Sequence, residues 1–319
     1  MIRYAIVGTS WISEEFHITS LCSDMVLCGV CSRTRERGRA FALKIGQPDA
    51  EIFTSVEGLA ASPGVDAVYV ASPNALHVPQ CETLLGAGKH VICEKPITVR
   101  PEQLEHLQDL ARRQGLVFME AIMYLHTPAR QAVKEALDSL GEIASAHFDF
   151  SQLSSRYDQL KAGGMPNVFN PALGGGAWND LGIYCIYPAL DFFGEPLDLA
   201  AQRVRLPNGA DGAGAALLRY PGRQVTLTWS KLGQSRGVSQ ILGDGGTIAI
   251  RSVSQFQGVT LCGRQGGTRS LAPPLEKHEV MRCEARAFCD YILGREAAVP
   301  YEEAGALALR VARWMERAR

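Results

Sequence analysis

Between residues 2 and 120, short apolar runs alternate with helical stretches, and this alternation limits the fold more than any other feature of the chain. The runs at 2–7 (IRYAIV), 25–31 (MVLCGVC), 65–71 (VDAVYVA), 91–93 (VIC, inside KHVICEKP) and 116–120 suit strands buried on both faces. Helices are expected over 14–22, 36–44, 78–87 and 101–114. Strand and helix in turn at this spacing mean an α/β fold, a doubly wound parallel sheet of about five or six strands, complete by Ala121.

A different rhythm follows. After a helix at 128–140, strands are expected at 143–152, 199–206, 214–219, 225–229, 237–242, 247–250 and 259–262, many alternating and several parted by glycine turns. They make a large, mostly antiparallel sheet in an α+β domain over 122–319. Its broad face is suited to pairing two copies of the chain. Helices at 278–293 and 301–317 close this domain.

Charge narrows the ligand class. A formal net charge of −1 gives neither a basic field for nucleic acid nor a polybasic patch for a membrane. No apolar stretch approaches the roughly 20 residues of a membrane span, and MIRYAIVG runs straight into a strand without a signal-peptide pattern. Nine scattered cysteines, an odd number, fit free thiols in a reducing cytoplasm. Cys28 and Cys31 form a C-x-x-C, but residues three apart on a strand face opposite sides, so no metal site is expected.

In a doubly wound sheet, ligands gather at the carboxyl ends of the strands. The first strand ends in Gly8-Thr9-Ser10-Trp11-Ile12-Ser13, where a dinucleotide-binding fold carries G-x-G-x-x-G; only the first glycine is present. Ser10 and Ser13 replace the others, and a serine still permits fairly close backbone approach and offers a hydroxyl to a phosphate. The second strand ends in Ser32-Arg33, with Arg35 and Arg37 in the next turn, instead of the acidic residue that holds a ribose diol. Guanidinium forks suit a 2′-phosphate, which argues for NADP over NAD, although a solvated helix start has the same composition. The third strand leads into Ala71-Ser72-Pro73-Asn74 and His77, crevice positions that helix capping and packing also explain. The KHVICEKP strand delivers Glu94, Lys95 and Pro96. Lys95 is placed to handle a proton or a substrate oxygen, and a surface ion pair at a loop is the plainer reading of the same three residues.

A second informative stretch is PALGGGAWNDLGIYCIY at 171–187. Gly174, Gly175 and Gly176 offer backbone amides at the entry to an apolar helix. Asp180 and Tyr184, four apart, share a helical face, and a buried carboxylate beside a phenol needs hydrogen bonds or a task. A core helix with one polar seam fits the same pattern.

Together, Gly8-Thr9-Ser10-Trp11-Ile12, Ser72-Pro73-Asn74 with His77, Cys93-Glu94-Lys95-Pro96, and the triple glycine with Asp180 and Tyr184 resemble the Gfo/Idh/MocA oxidoreductases, in order and spacing along nearly the whole chain. Ser154-Ser155-Arg156-Tyr157 and the Asp-Leu-Gly-Ile-Tyr run are similar to the dimeric dihydrodiol and xylose dehydrogenases of that family, and to an uncharacterised bacterial branch. The resemblance implies a Rossmann dinucleotide-binding domain over 1–121 and a substrate-binding, dimerising domain over 122–319. It makes Lys95 the active-site lysine and Asp180 the carboxylate, and puts Tyr184 where many members carry histidine. It also implies a cis bond before Pro96. The chain departs from the pattern at Ser10 and Ser13, at Tyr184, and at Val168-Phe169, where many relatives have Trp-Arg.

The activity so implied is an NAD(P)-dependent dehydrogenase or reductase acting on a CH–OH group of a sugar, polyol or cyclic diol, with NADP as cofactor and NAD as the alternative. Tyr184 would take the hydroxyl proton, Lys95 would lower the tyrosine pKa and steady the alkoxide, and Asp180 would orient them, with Lys95 as direct base the variant. Tyr124, Tyr157, Asn167 and Trp178 are candidate substrate contacts. The partners implied are a small-molecule substrate and a second copy of the chain, in a homodimer or higher oligomer through the C-terminal sheet. A dinucleotide-binding sensor without turnover is the rival reading: the thinned glycine motif favours it, and the intact Lys95, Asp180 and Tyr184 oppose it.

Overall fold

The computed structural model describes residues 1–21 and 24–318. It contains two compact units, Met1–His126 with Glu276–Gly305, and Thr127–Leu275 with Ala306–Arg319. Six strands of the first unit form one sheet: β1 (Ile2–Val7), β2 (Met25–Cys31), β3 (Glu51–Phe53), β4 (Ala67–Val70), β5 (His90–Glu94) and β6 (Phe118–Ala121). Between them run α1 (Trp11–Ser20), α2 (Arg35–Lys44), α3 (Val56–Ala60), α4 (His77–Gly86) and α5 (Pro101–Gln114). All neighbours are parallel, in the order β3-β2-β1-β4-β5-β6. Strand order therefore reverses between β1 and β4, the switch point at which such sheets open a crevice. Short polar residues set the helix starts, with Thr34 and Ser55 accepting from first-turn amides, and Gly115 at φ +66° closes α5. The C-terminal end expected for the first helix, at Cys22, lies outside the described residues.

The second unit begins with α6 (Pro128–Ala136) and holds β7 (Ile143–Ser151), α7 (Tyr157–Lys161), α8 (Ile183–Phe193), β8 (Asp198–Arg205), β9 (Asp211–Tyr220), β10 (Arg223–Ser230), β11 (Ser239–Gly243), β12 (Gly246–Ser252), β13 (Gln257–Gly263) and β14 (Thr268–Ser270). Its eight strands run β14-β13-β12-β11-β7-β10-β9-β8, antiparallel except for the β7–β10 pair. Alternation is strict on β10, where Val225, Leu227 and Trp229 are buried and Thr226, Thr228 and Ser230 point the other way. Arg130 of α6 and Asp191 of α8 are joined by two hydrogen bonds of 2.7 Å, each side chain only 3% exposed. A pair closed at both ends in this way is an internal brace.

Two helices complete the chain, α9 (Lys277–Ile292) and α10 (Tyr301–Arg317). A single cut after Ala121 does not divide the protein, because residues 276–305 return to the first unit. Met281, Ala285, Phe288 and Cys289 of α9 share a core with Ile6, Phe16, Tyr69 and Ile92. An amphipathic pattern reveals that a helix has an apolar face, not which sheet that face will cover. Among the described residues no helix is long and apolar enough to cross a membrane. The eight described cysteines are free. Cys28 lies at a register shift in β2, and burial pushes both its thiol and that of Cys31 up to about 11.

Candidate active site

The crevice at the switch point is built by close approach of two strand exits. Gly8 has φ +108°, and a Cβ there would stand 2.6 Å from the Ala71 carbonyl oxygen, so only glycine fits. α1 starts at Trp11, three residues before the expected position, because the Gly8–Ser10 turn is tighter than the sequence suggests. Ser10 provides no side-chain cap, which leaves the first amides of α1 for another acceptor. Ser13, in place of the third glycine, is fully buried with its hydroxyl 3.4 Å from that of Ser10. Trp11 is 62% exposed, with the Lys277 ammonium 4.6 Å from its ring centre, and Ile12 is half-buried beside it. At the exit of β2, the Ser32 N–H donates to Phe53, while the Arg33 and Arg37 side chains are exposed.

Side chains stitch the exits of β4 and β5 together. His77, the first residue of α4, is fully buried between two carbonyl oxygens, with Nδ1 2.9 Å from Pro96 and Nε2 2.8 Å from Ser72. Burial, with the nearby Lys95 ammonium adding to it, holds the ring pKa below its ordinary value, so the neutral ring donates to one of these oxygens at a time. Ser72 donates to Gln80 at 2.6 Å. Asn74 opens a separate 3₁₀ turn after Pro73, and α4 begins three residues later at His77. The Lys95–Pro96 peptide is cis. On either side of it, the Tyr69 hydroxyl donates to Glu94 at 2.5 Å and the Ile97 N–H donates to Glu120 at 2.8 Å. The half-buried Lys95 thus leaves a turn fixed at three points.

In the second unit, the protein's own chain explains two of the three glycines. A Cβ on Gly175 would lie 2.6 Å from the Asn167 carbonyl oxygen, and one on Gly176 (φ +138°) 2.4 Å from the Asp211 carboxylate. Asp211 accepts from the Trp178 N–H at 2.7 Å and from the Trp229 indole at 3.2 Å, anchoring the helix start. The segment Trp178–Gly182 is a π-helical turn, a form often retained at functional sites, and it carries Asp180. One turn on, Tyr184 is 8% exposed with its ring edge-on to Phe150, centroids 5.3 Å apart.

Asp180 pairs with the ammonium of Lys231, a residue that no motif singles out. Its signal is the period of two set by Val225, Leu227 and Trp229 of β10, which the buried Lys231 continues one residue past the strand's end. The structure thus groups Gly8, Ala71, Ser72, His77 and Glu94 to Pro96 in the first unit, and Asp180, Tyr184 and Lys231 in the second. The substrate candidates are dispersed in character. Tyr124 is fully buried, and Trp178 is 1% exposed with its indole donating to Met315. Tyr157 is half-buried beneath Lys161, and Asn167 is exposed.

Comparison with known proteins matches two family models: residues 2–122 to an oxidoreductase family with an NAD-binding Rossmann fold, and residues 130–249 to the GFO/IDH/MocA C-terminal domain. The chain is similar to scyllo-inositol 2-dehydrogenase (NADP(+)) IolU of Bacillus subtilis, 38% identical over 92% of this chain and 88% of that one. It is 31% identical to trans-1,2-dihydrobenzene-1,2-diol dehydrogenase of Macaca fascicularis over 78% of this chain and 74% of that one. A 3-ketoreductase from Actinomadura kijaniata, solved with NADP and TDP-benzene, superposes with a TM-score of 0.85 at 28% identity, covering 99% of this chain and 96% of the other.

Proposed function

Since the chain belongs to the Gfo/Idh/MocA oxidoreductase family, we propose that it transfers hydride between NADP and a secondary alcohol of a sugar, polyol or cyclic diol, interconverting alcohol and ketone. The observation that carries this reading is the Lys95 turn. Tyr69, His77 and Glu120 hold that turn at the carboxyl edge of a parallel sheet, a degree of bracing that a surface ion pair would not require. The similar proteins are named for an inositol and for a trans-dihydrodiol, so a ring carbinol beside one other hydroxyl-bearing carbon is the substrate chemistry they have in common.

The first unit fits NADP. Gly8 leaves room for backbone approach, the uncapped amides of α1 suit a pyrophosphate, and exposed Arg33 and Arg37 suit a 2′-phosphate. Bound there, the nicotinamide supplies the hydride chemistry. Tyr184 exchanges the proton of the reacting hydroxyl. Lys95 supplies the positive charge that steadies the alkoxide. Asp180 accepts hydrogen bonds that orient the reacting groups.

Assaying sugars, inositols and cyclic diols in parallel with NADP and NAD tests this reading, which predicts NADP-linked turnover of at least one of them. No turnover with any of them, beside intact NADP binding, would instead support a sensor. Replacing Arg33 and Arg37 by serine should cost roughly 10- to 100-fold in kcat/KM with NADP and little with NAD, the equivalent of removing one charge-assisted hydrogen bond. Equal losses with both cofactors would remove the arginines from the phosphate site.

We assign the outward face of the second unit's sheet to a homodimer. Val204, Leu217 and Leu242, respectively 55%, 45% and 36% exposed, lie on that face with Thr226, Thr228 and His147. Exposed apolar groups on an open sheet face suit a self-complementary contact. Leu217→Glu should shift the sedimenting species from dimer to monomer, and an unchanged mass would exclude this face. The free thiols suit a reducing compartment, and on that ground we place the protein in the cytoplasm.

A further inference from the structure

We propose that Lys231 is a positioning residue for the reaction: from the end of β10 its buried ammonium fixes Asp180 as an oriented carboxylate on the π-helical turn that leads to Tyr184. This inference rests on the reading of Asp180 and Tyr184 as active-site groups.

The ion pair is asymmetric, with the Lys231 side chain 5% exposed and that of Asp180 34%. The brace in the same unit, Arg130 with Asp191, is closed at both ends at 3% and 3%. Burying an ammonium is costly unless it is paired, so Lys231 binds Asp180 tightly, while the carboxylate still reaches outward. The lysine has little freedom to choose another partner. Its N–H donates to Gly212 at 2.8 Å, its carbonyl accepts from the Ser154 N–H at 2.9 Å, and its ammonium lies 5.8 Å from the Phe169 ring centre. Trp178 and Trp229, two residues before Asp180 and Lys231 respectively, pack with ring centroids 4.4 Å apart and planes tilted by 47°, and tie the turn to the strand.

A carboxylate held against an ammonium is a poor proton acceptor and a good hydrogen-bond acceptor. Asp180 therefore orients hydroxyl or amine donors, and the proton is left to Tyr184. Charged groups near the turn include Asp211 of β9, held by Trp178 and Trp229, and Arg203 of β8, 5.7 Å from the Trp178 ring centre. On β7, Asp149, which accepts from Ser151 and Thr228, and His147 lie with Thr228 on the opposite face of the sheet. Tyr184 and Cys185 belong to α8.

The test compares Lys231→Met, Lys231→Arg, Asp180→Asn and the Lys231→Met/Asp180→Asn double variant, by steady-state kinetics across pH and by NADP affinity. Lys231→Met is expected to lower kcat on the order of 10-fold or more with NADP affinity unchanged, and to move the acid limb of the kcat profile to higher pH as Asp180 becomes easier to protonate. Lys231→Arg should restore the limb, and the double variant should be no worse than Asp180→Asn. A wild-type limb in Lys231→Met beside an impaired Asp180→Asn would overturn the role of Lys231 alone, as would losses that simply add. Full activity in Asp180→Asn would instead overturn the underlying functional reading, and the role of Lys231 with it.

Discussion

Lys95→Ala is expected to lower turnover on the order of 10²-fold or more while NADP affinity stays close to that of the unaltered protein. The variant separates chemistry from scaffolding because hydrogen bonds from the neighbours of Lys95 hold the turn. Tyr69 donates to Glu94, the Ile97 N–H donates to Glu120, and His77 spans from Pro96 to Ser72. With the ammonium gone these hydrogen bonds remain, and so do Gly8 and the first turn of α1 that suit the dinucleotide. On the proposed function, the reacting hydroxyl would then lose its proton without the Lys95 charge. Steady-state kcat with a substrate from the sugar and diol assay, beside a fluorescence titration with NADP, checks both halves. If Lys95 and Tyr184 serve one proton transfer, Lys95→Ala combined with Tyr184→Phe should be scarcely worse than either alone. Turnover within a few-fold of the unaltered enzyme would remove Lys95 from the chemistry.

How much of this was legible in the sequence follows from the range of the interactions involved. The parallel sheet was readable because buried strands such as Val91 to Cys93 carry their signal locally. The three-residue β3 was missed because so short a run has no period to detect. Asp180 and Tyr184 are singled out by their spacing, but the π-helical turn that carries Asp180 depends on packing between Trp178 and Gly182, where a Cβ would stand 2.1 Å from the Trp178 ring. Lys231 was in principle visible as the next inward position, one residue past β10, and was obscured by the rule that lysines face water. The triple glycine shows the opposite failure, since Gly175 and Gly176 fit the chain's own backbone and side chains whether or not a ligand lies near. His77 joins residues five and nineteen positions away, Ser72 and Pro96, and no local pattern announces such a stitch.

Glu284 gave least away, as one of three acids in an amphipathic helix, and it supports the second large prediction: stability should become less sensitive to rising pH when this side chain is replaced. Glu284 of α9 is 0% exposed, and among the described residues neither of its carboxylate oxygens has a hydrogen-bond partner. Burial pushes its pKa well above the ordinary carboxylate range, and the charge of Glu94 adds to the shift. The folded protein therefore binds this proton more tightly than the unfolded chain does. The favourable contribution is complete below the unfolded-state pKa of about 4.3 and is lost as pH rises toward the folded value, by up to about 1.4 kcal/mol per pH unit. Glu284→Gln and Glu284→Met have no such proton to lose. Their thermal midpoints should keep a fixed offset from the unaltered protein near pH 4.5, set by packing, and should gain on it progressively toward pH 8. The offset can take either sign, because an amide or thioether fits the cavity differently, but the gain has only one. Parallel midpoint curves over that range would mean that Glu284 ionises in the folded state as freely as in the unfolded chain, which its burial without a partner makes the costlier alternative.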